Sequence, residues 1–363
     1  LNISRDGGET WHFINNLPLG QFYHVNYDMD FPYHVYGGMQ DNGSWIGPGY
    51  VLKRGGIRNY DWQELYFGDG FDVVPQPFDS RYGYAMSQGG NVAYYDRVTG
   101  ATKFIKPVHP DGVKLRFNWN AAIAQDPFND KGVYFGSQFL HYSNDNGDSW
   151  EILSPDLTTN DSTKQQQAKS GGLTIDATNA ENHTTILCIA PSTKDKDVIW
   201  VGTDDGRMQL TQDRGEHWTD LSSRLPGYKA GSWIPQIELS PNKEGEAFVV
   251  VNDYRRNNWE PYLYHTKDHG ETWSRLIEKG DVHGHVISVV QDDVVPSLIF
   301  AGTDQGLYFS FDYGENWEKW TAGFPSVSTR DMKIHPREHD LIIGTFGRAI
   351  YILDDIRFLR GLA

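Results

Sequence analysis

Three aspartates stand in glycine-rich surroundings, as Gln40-Asp41-Asn42-Gly43 and Gly68-Asp69-Gly70-Phe71-Asp72. Paired carboxyl groups cleave glycosidic bonds when one is held protonated as the acid and the other is ionised, at spacings of roughly 5–5.5 Å in retaining and 6.5–9.5 Å in inverting enzymes. One carboxyl crowded by two others has a raised pKa, which suits the acid. If the chain hydrolyses a glycan, the pair is expected among Asp41, Asp69 and Asp72, brought to one part of a rim, with Trp119 free to stack on a sugar ring. The plainer alternative is that Asp69 and Asp72 bond neighbouring backbone and never meet substrate.

The elements that must position these residues are announced by an octet, Ser/Thr-x-Asp-x-Gly-x-x-Trp. It occurs as Ser4–Trp11, Ser143–Trp150, Thr211–Trp218, Thr266–Trp273 and Ser310–Trp317. An Asp that accepts from nearby backbone N–H groups, followed two residues on by a Gly free to take positive φ, folds a hairpin turn upon itself. The Trp then opens the outgoing strand with a large ring that needs a packing partner. Asp6, Asp145, Asp213, Asp268 and Asp312 are therefore expected to build turns. Each octet offers one dependable carboxylate, so no metal is expected in them.

Aligned on the last octet, the chain shows seven copies of a strand–turn–strand core: His34–Gly47, Tyr84–Asp96, Val133–Asp145, Ile199–Asp213, Ala247–Asp268, Ile299–Asp312 and Leu341–Asp355. Another β-like run precedes each, and most are followed by a fourth near a Trp. Four strands per unit at this period predict an all-β, seven-bladed β-propeller of four-stranded antiparallel blades over residues 1–356, with 357–363 as a C-terminal tail. The last unit lacks a convincing fourth strand, whereas the chain begins with third- and fourth-strand-like runs. The N-terminal strands are thus expected to complete the last blade and close the ring, with Trp11–Ile14 outermost. Thr158–Thr184 and Tyr50–Tyr60 read as long loops, the usual carriers of function on a rigid scaffold.

In such a ring, the turns from second to third strand and the blade-to-blade links share one face, opposite the octet turns. The candidate ligand-binding residues expected there are Trp119, Glu181, Asp204, Trp233, His283, His285, Arg330 and Arg348. Each has a structural alternative. Asp204, like Asp41 and Asp304, occupies a Gly-containing turn that it could simply cap; Trp119 and Trp233 could wedge between blades. His283 and His285 could point the same way across Gly284 but lack a third zinc ligand. Arg348 is expected to pair with a carboxylate.

The 363 residues carry a formal net charge of −16, which argues against nucleic acid or an anionic membrane as partner, because binding would work against the field of the whole molecule. No apolar run is long enough to insert into a bilayer. The single cysteine, Cys188, reads as a buried, inert strand residue without a disulfide. The start of the chain, directly on a strand leading into an octet, reads as a fragment of a longer multi-propeller protein.

The octets resemble the Asp-box of BNR-type repeats, and the whole chain to about residue 356 resembles the bacterial sortilin-like Asp-box propellers, commonly labelled glycosyl hydrolases. The resemblance rests also on Gln21–Val25 (QFYHV), Tyr36–Gly43 (YGGMQDNG), Ser154–Thr158 (SPDLT), Ile199–Gly206 (IWVGTDDG) and His335–Ile356 (HPREHDLIIGTFGRAIYILDDI). It implies a secreted, periplasmic or bacterial cell-surface location. Sortilin receptors, more distant, use a ten-bladed ring and a cysteine-rich module, neither of which this sequence repeats, so peptide-receptor function does not carry over. Two-propeller xyloglucanases place their aspartates between two rings, and one ring is here. The expected function is a binding or scaffold propeller that recognises protein, peptide or glycan, or the rest of its own longer chain, through the loop-rich face. A glycoside hydrolase working with a second propeller and a structural subunit of a surface assembly are the alternatives. No cofactor is expected.

Overall fold

The computed structural model describes residues 1–14, 17–166 and 182–363. Seven antiparallel sheets follow one another along the chain, and each runs from its innermost strand outward in sequence order. The innermost strands are Phe22–Tyr27, Val73–Pro75, Ile123–Gln125, Ile186–Pro191, Trp233–Leu239, Val286–Gln291 and Thr329–Ile334. Six sheets have four strands, and the seventh has three. The expected seven-bladed propeller is the observed fold. Second and third strands such as Ile299–Thr303 and Gly306–Ser310 are buried at every position because sheets cover them on both faces. Among the described residues no helix is long and apolar enough to cross a membrane.

The octets fold as turns. In all five, the Asp Oδ1 accepts the backbone N–H four residues on at 2.9 Å. The Ser or Thr hydroxyl accepts from the Gly N–H, at 2.8 Å in Ser310–Trp317. The octet also joins blades. Trp150, Trp218 and Trp317 donate their indole N–H to the carbonyls of Ile105, Leu153 and Leu276, which follow the fourth strand of the preceding blade. The octet Gly lies so close to that residue that a Cβ on Gly215 would stand 2.3 Å from the Leu153 carbonyl oxygen.

The N-terminal strands do not complete the last blade. Asn2–Ile3 and His12–Phe13 pair with each other, and Ile350–Leu353 is the outermost strand of blade seven among the described residues. The physical reason is that Ile350–Leu353 already fills the third-strand place, while the first octet ties the two N-terminal strands into a hairpin that cannot release its second strand alone. Trp11 and Phe13 consequently remain exposed.

Closure comes from side chains and loops between blades one and seven. Asp331 Oδ2 accepts the Val25 N–H at 3.0 Å, and Tyr33 donates to Asp340 at 2.8 Å. Gly347 and Ala349 donate their backbone N–H groups to the Gly20 carbonyl at 2.9 and 3.1 Å. The expected C-terminal tail is also docked. Ile356 and Leu359 enter the core between the last two blades, and Arg360 forms a buried ion pair with Asp292 at 2.9 Å.

Asp312→Ala, which frees turn donors, is expected to lower stability by about 1–3 kcal/mol in a denaturant titration, with no dependence on calcium. Deleting residues 1–13 should leave the melting temperature of the ring within roughly 2 °C of the full chain, because no blade depends on that hairpin.

Candidate functional site

The Asp41–Asp69 pair is set by glycines. Gly38 and Gly70 let blades one and two touch backbone to backbone, since a Cβ on Gly38 would meet Phe71 N and O at 2.2 Å. Gly70 N–H and Gly43 N–H then donate to the carbonyls of Met39 and Gly68, both at 2.8 Å. This clamp seats Asp69 over the first-blade turn, where its Oδ1 accepts the Asp41 N–H at 2.7 Å and the Gln40 side-chain amide at 2.9 Å. Asp41 is exposed and left-handed at φ 60°. Burial raises the Asp69 pKa, opposed by the bond from the Asp41 N–H and aided by the Asp41 carboxyl.

Asp72 does not join this pair, contrary to expectation. Two residues beyond Gly70 the chain has already turned down into the innermost strand, and Asp72 lines the central cavity beside His24, Asp331 and Lys333. That cavity, about 520 Å³, is bounded by innermost strands of the blades. Its charges are linked: His24 Nδ1 lies 3.4 Å from Asp331 Oδ2, and Lys333 Nζ 3.9 Å from Asp331 Oδ1. Burial alone would lower the His24 pKa, but the Asp331 carboxylate carries it above the usual range. Burial raises Asp72 and pushes Glu238 up to about 7. Cys188 also faces the cavity, only partly buried, and its thiol is pushed up to about 12 by desolvation.

On the loop-rich face, where the blade links enter, two guanidiniums lie on aromatic rings, and Tyr23 and Arg330 line the upper cavity. Tyr23 packs on Phe71 and Phe346 at ring-centroid distances of 4.5 and 5.2 Å, and its hydroxyl donates to Gln40. Arg330 lies 4.6 Å from the Phe346 ring centroid and 6.0 Å from that of Tyr23. In blade five, Arg255 covers the Trp233 ring at 3.2 Å and approaches Tyr254 at 4.3 Å. Tyr254, Trp259 and His285 form one cluster, with centroids 4.8–5.8 Å apart.

Other sequence candidates divide. Asp204 is wholly buried and accepts from Thr185 and Asn118, so it caps its own neighbourhood. His285 is buried with Nδ1 3.4 Å from Asp304, whereas His283 is exposed, so the two do not act together. Arg348 is exposed and, among the described residues, forms no ion pair, so the expected pairing with a carboxylate is not made. Trp119 packs against the core of blades two and three, with its Nε1 buried and unpartnered. Glu181 and part of the Thr158–Thr184 loop lie outside the described residues. Tyr50–Tyr60 connects the third and fourth strands of blade one, on the octet face.

Sequence reasoning missed Arg255 and Tyr254 as individuals, and the lumen charges of His24, Glu238, Asp331 and Lys333. Two signals were there: a basic Tyr-Arg-Arg in the turn after a seven-residue apolar strand, and charged residues interrupting innermost strands. Among the described residues, Asp28–Asp30–His34 and Asp213–Glu216–His217 each bring three ligand-type atoms within 4.8 Å. Asp28 and Asp213 already bond the His34 and His217 rings, at 2.8 and 2.6 Å.

A BNR/Asp-box repeat model matches residues 3–13, which include the first octet. The chain is a seven-bladed β-propeller that carries a BNR/Asp-box repeat. No curated protein matches it in sequence. In structure the propeller is similar to the GH74 xyloglucanase of Xanthomonas campestris, with TM-score 0.67, 16% identity, and coverage of 96% of this chain and 54% of that one. It is similar also to the GH74 enzyme of Niastella koreensis, at TM-score 0.64, 15% identity, and coverage of 94% and 53%. The extracellular domain of BT4673 from B. thetaiotaomicron follows, at TM-score 0.59, 14% identity, and coverage of 92% and 38%. The propeller thus spans about half the length of the two GH74 enzymes, and identities this low carry the fold alone.

The raised Glu238 pKa has a sign. A carboxyl protonated more readily in the folded than in the unfolded state contributes stability that is complete below about 4.5 and is lost as pH rises through about 7. Glu238→Gln, neutral throughout, should flatten the fall in melting temperature between pH 5 and 8 by roughly 1–3 °C. A curve parallel to that of the unchanged protein would show that Glu238 is freely solvated.

Proposed function

We propose that this propeller is a glycan-binding module that receives its ligand on the loop-rich face, at the mouth of the central cavity. The observation that carries the reading is the mouth itself. Tyr23, Phe346, Tyr254 and Trp259, from blades one, seven and five, offer rings to the flat faces of sugars, and Gln40 and Asp41 offer hydrogen bonds to hydroxyls. A rigid ring with aromatic and amide groups on one face suits binding without further machinery. The similarity in fold to GH74 enzymes and to an extracellular domain agrees with this reading and with a secreted, periplasmic or surface location. In this reading, further segments of a longer chain are the natural partner of the ring, as the GH74 lengths suggest.

Hydrolysis is the second reading, and one observation favours it: Asp41 and Asp69 share the Gln40 amide, with Asp69 drawn toward protonation. Asp69 would then be the acid and exposed Asp41 the base. Asp69 is at the same time held by two N–H donors, which fits a turn-building role equally, so binding is preferred.

Titration with a panel of neutral oligosaccharides by calorimetry tests the binding reading. Trp259→Ala, at a residue 53% exposed and outside the core, should weaken the best ligand by about three- to tenfold, the equivalent of one aromatic contact. Absence of any oligosaccharide binding would overturn the reading. Turnover of a polysaccharide that disappears in both Asp41→Asn and Asp69→Asn, with melting unchanged, would replace it by hydrolysis.

A further inference from the structure

We propose that the octet face of blades one to three is a self-association surface, on which a second copy of this chain docks about a two-fold axis through blade two. The inference is independent of the glycan reading, because this face lies opposite the loop-rich one.

The first-to-second and third-to-fourth connections of the blades share the octet face. In blades one to three, large apolar side chains stand at their tips: Phe31, Leu52 and Tyr60 in blade one, Phe78 and Val98 in blade two, and Phe128 in blade three, all 50–99% exposed. The corresponding first-to-second turns of blades four and five, 192–197 and 240–245, carry no large apolar side chain. One continuous surface holds the six. Leu52 lines a groove of about 400 Å³ with Pro32, and Lys53 Nζ lies 3.1 Å from the Tyr60 hydroxyl. Arg97 of blade two donates to Asp30 of blade one at 3.1 Å, and the Gln76 amide of blade two donates to Asn146 Oδ1 of blade three at 2.6 Å. Isolated apolar side chains on a surface are ordinary, whereas six across three adjoining blades form a patch of the kind that an interface buries.

Charge identifies the occupant. Two chains of net −16 repel each other, and the repulsion is least where charge is locally balanced. The third-to-fourth connection of blade one carries Lys53, Arg54 and Arg58 against Asp61, a formal +2. That of blade two is neutral, with Asp96 beside Arg97, and that of blade three carries Asp145 and Asp148, a formal −2. A two-fold axis through blade two sets blade one opposite blade three of the second copy, and blade two opposite itself. Opposite charges then meet at both ends, while Phe78 and Val98 meet their own counterparts in the middle. Self-complementarity of this kind is what a closed two-fold contact requires. Among the described residues Arg54 and Arg58 form no ion pair. Asp148 meets Lys103 in an exposed pair, which costs little to exchange for a new partner. Both loop-rich faces point outward in the pair and stay open to ligand.

The test uses the intact chain, weighed by light scattering during size-exclusion over a range of concentrations. A two-chain mass is expected, with Leu52→Asp and Phe78→Asp each raising the dissociation constant about tenfold or more and leaving the melting temperature unchanged. Having two apolar variants guards against one that fails to fold. Arg54→Glu and Asp148→Lys should each weaken the pair, and the double variant, in which each reversed residue faces the other across the axis, should recover most of the affinity. Chains that stay single up to about 1 mM would overturn the proposal. So would a pair indifferent to both apolar variants, or one weakened by each charge reversal and not recovered by the double variant. Single chains that sediment with phosphatidylcholine vesicles would overturn it in favour of a lipid surface.

Discussion

The ring depends on the seam between neighbouring blades, and the octet is the device that makes it. Its Asp and Ser or Thr satisfy the backbone donors of a tight turn, which would otherwise lose hydrogen bonds on burial. Its Gly removes the side chain that would collide with the preceding blade, and in three of the five copies its Trp donates to that blade's carbonyl. One eight-residue signal therefore closes a hairpin and orients the next sheet. Where no preceding blade lies against it, as in Ser4–Trp11, the turn still folds but the indole stays exposed, so turn and seam are separable functions of the same residues.

Blade one and blade two show the same principle on the opposite face. The contact of Gly38 with Phe71 brings two backbones closer than any side chain would permit, and the positions of Asp69 and Asp41 follow from it. The glycines beside these aspartates thus serve a blade contact. Asp72, three residues from Asp69, belongs to a different environment because the strand has begun to descend into the cavity.

Charge is distributed unevenly across the molecule. The lumen keeps acids and bases in mutual contact, so that Asp331 stays ionised against burial through Lys333 and His24. The loop-rich face instead sets guanidiniums on rings, Arg330 on Phe346 and Arg255 on Trp233.

The sequence by itself determined the repeat, the blade count and the turn chemistry, because these rest on contacts within a few residues: Asp312 with Asn316, or Ser310 with Gly314. It also singled out Trp233, His285 and Arg330 as residues of the loop-rich face. Tertiary structure decided how the ring closes, since the choice between an N-terminal strand and the Val25–Asp331 and Tyr33–Asp340 bonds is a competition between residues some three hundred positions apart. It decided too that Arg255 covers Trp233, that His283 and His285 part company, and that Asp72 leaves the rim. Those outcomes depend on the angle at which each blade meets the axis, which is set by packing of whole sheets and leaves no short-range mark in the chain.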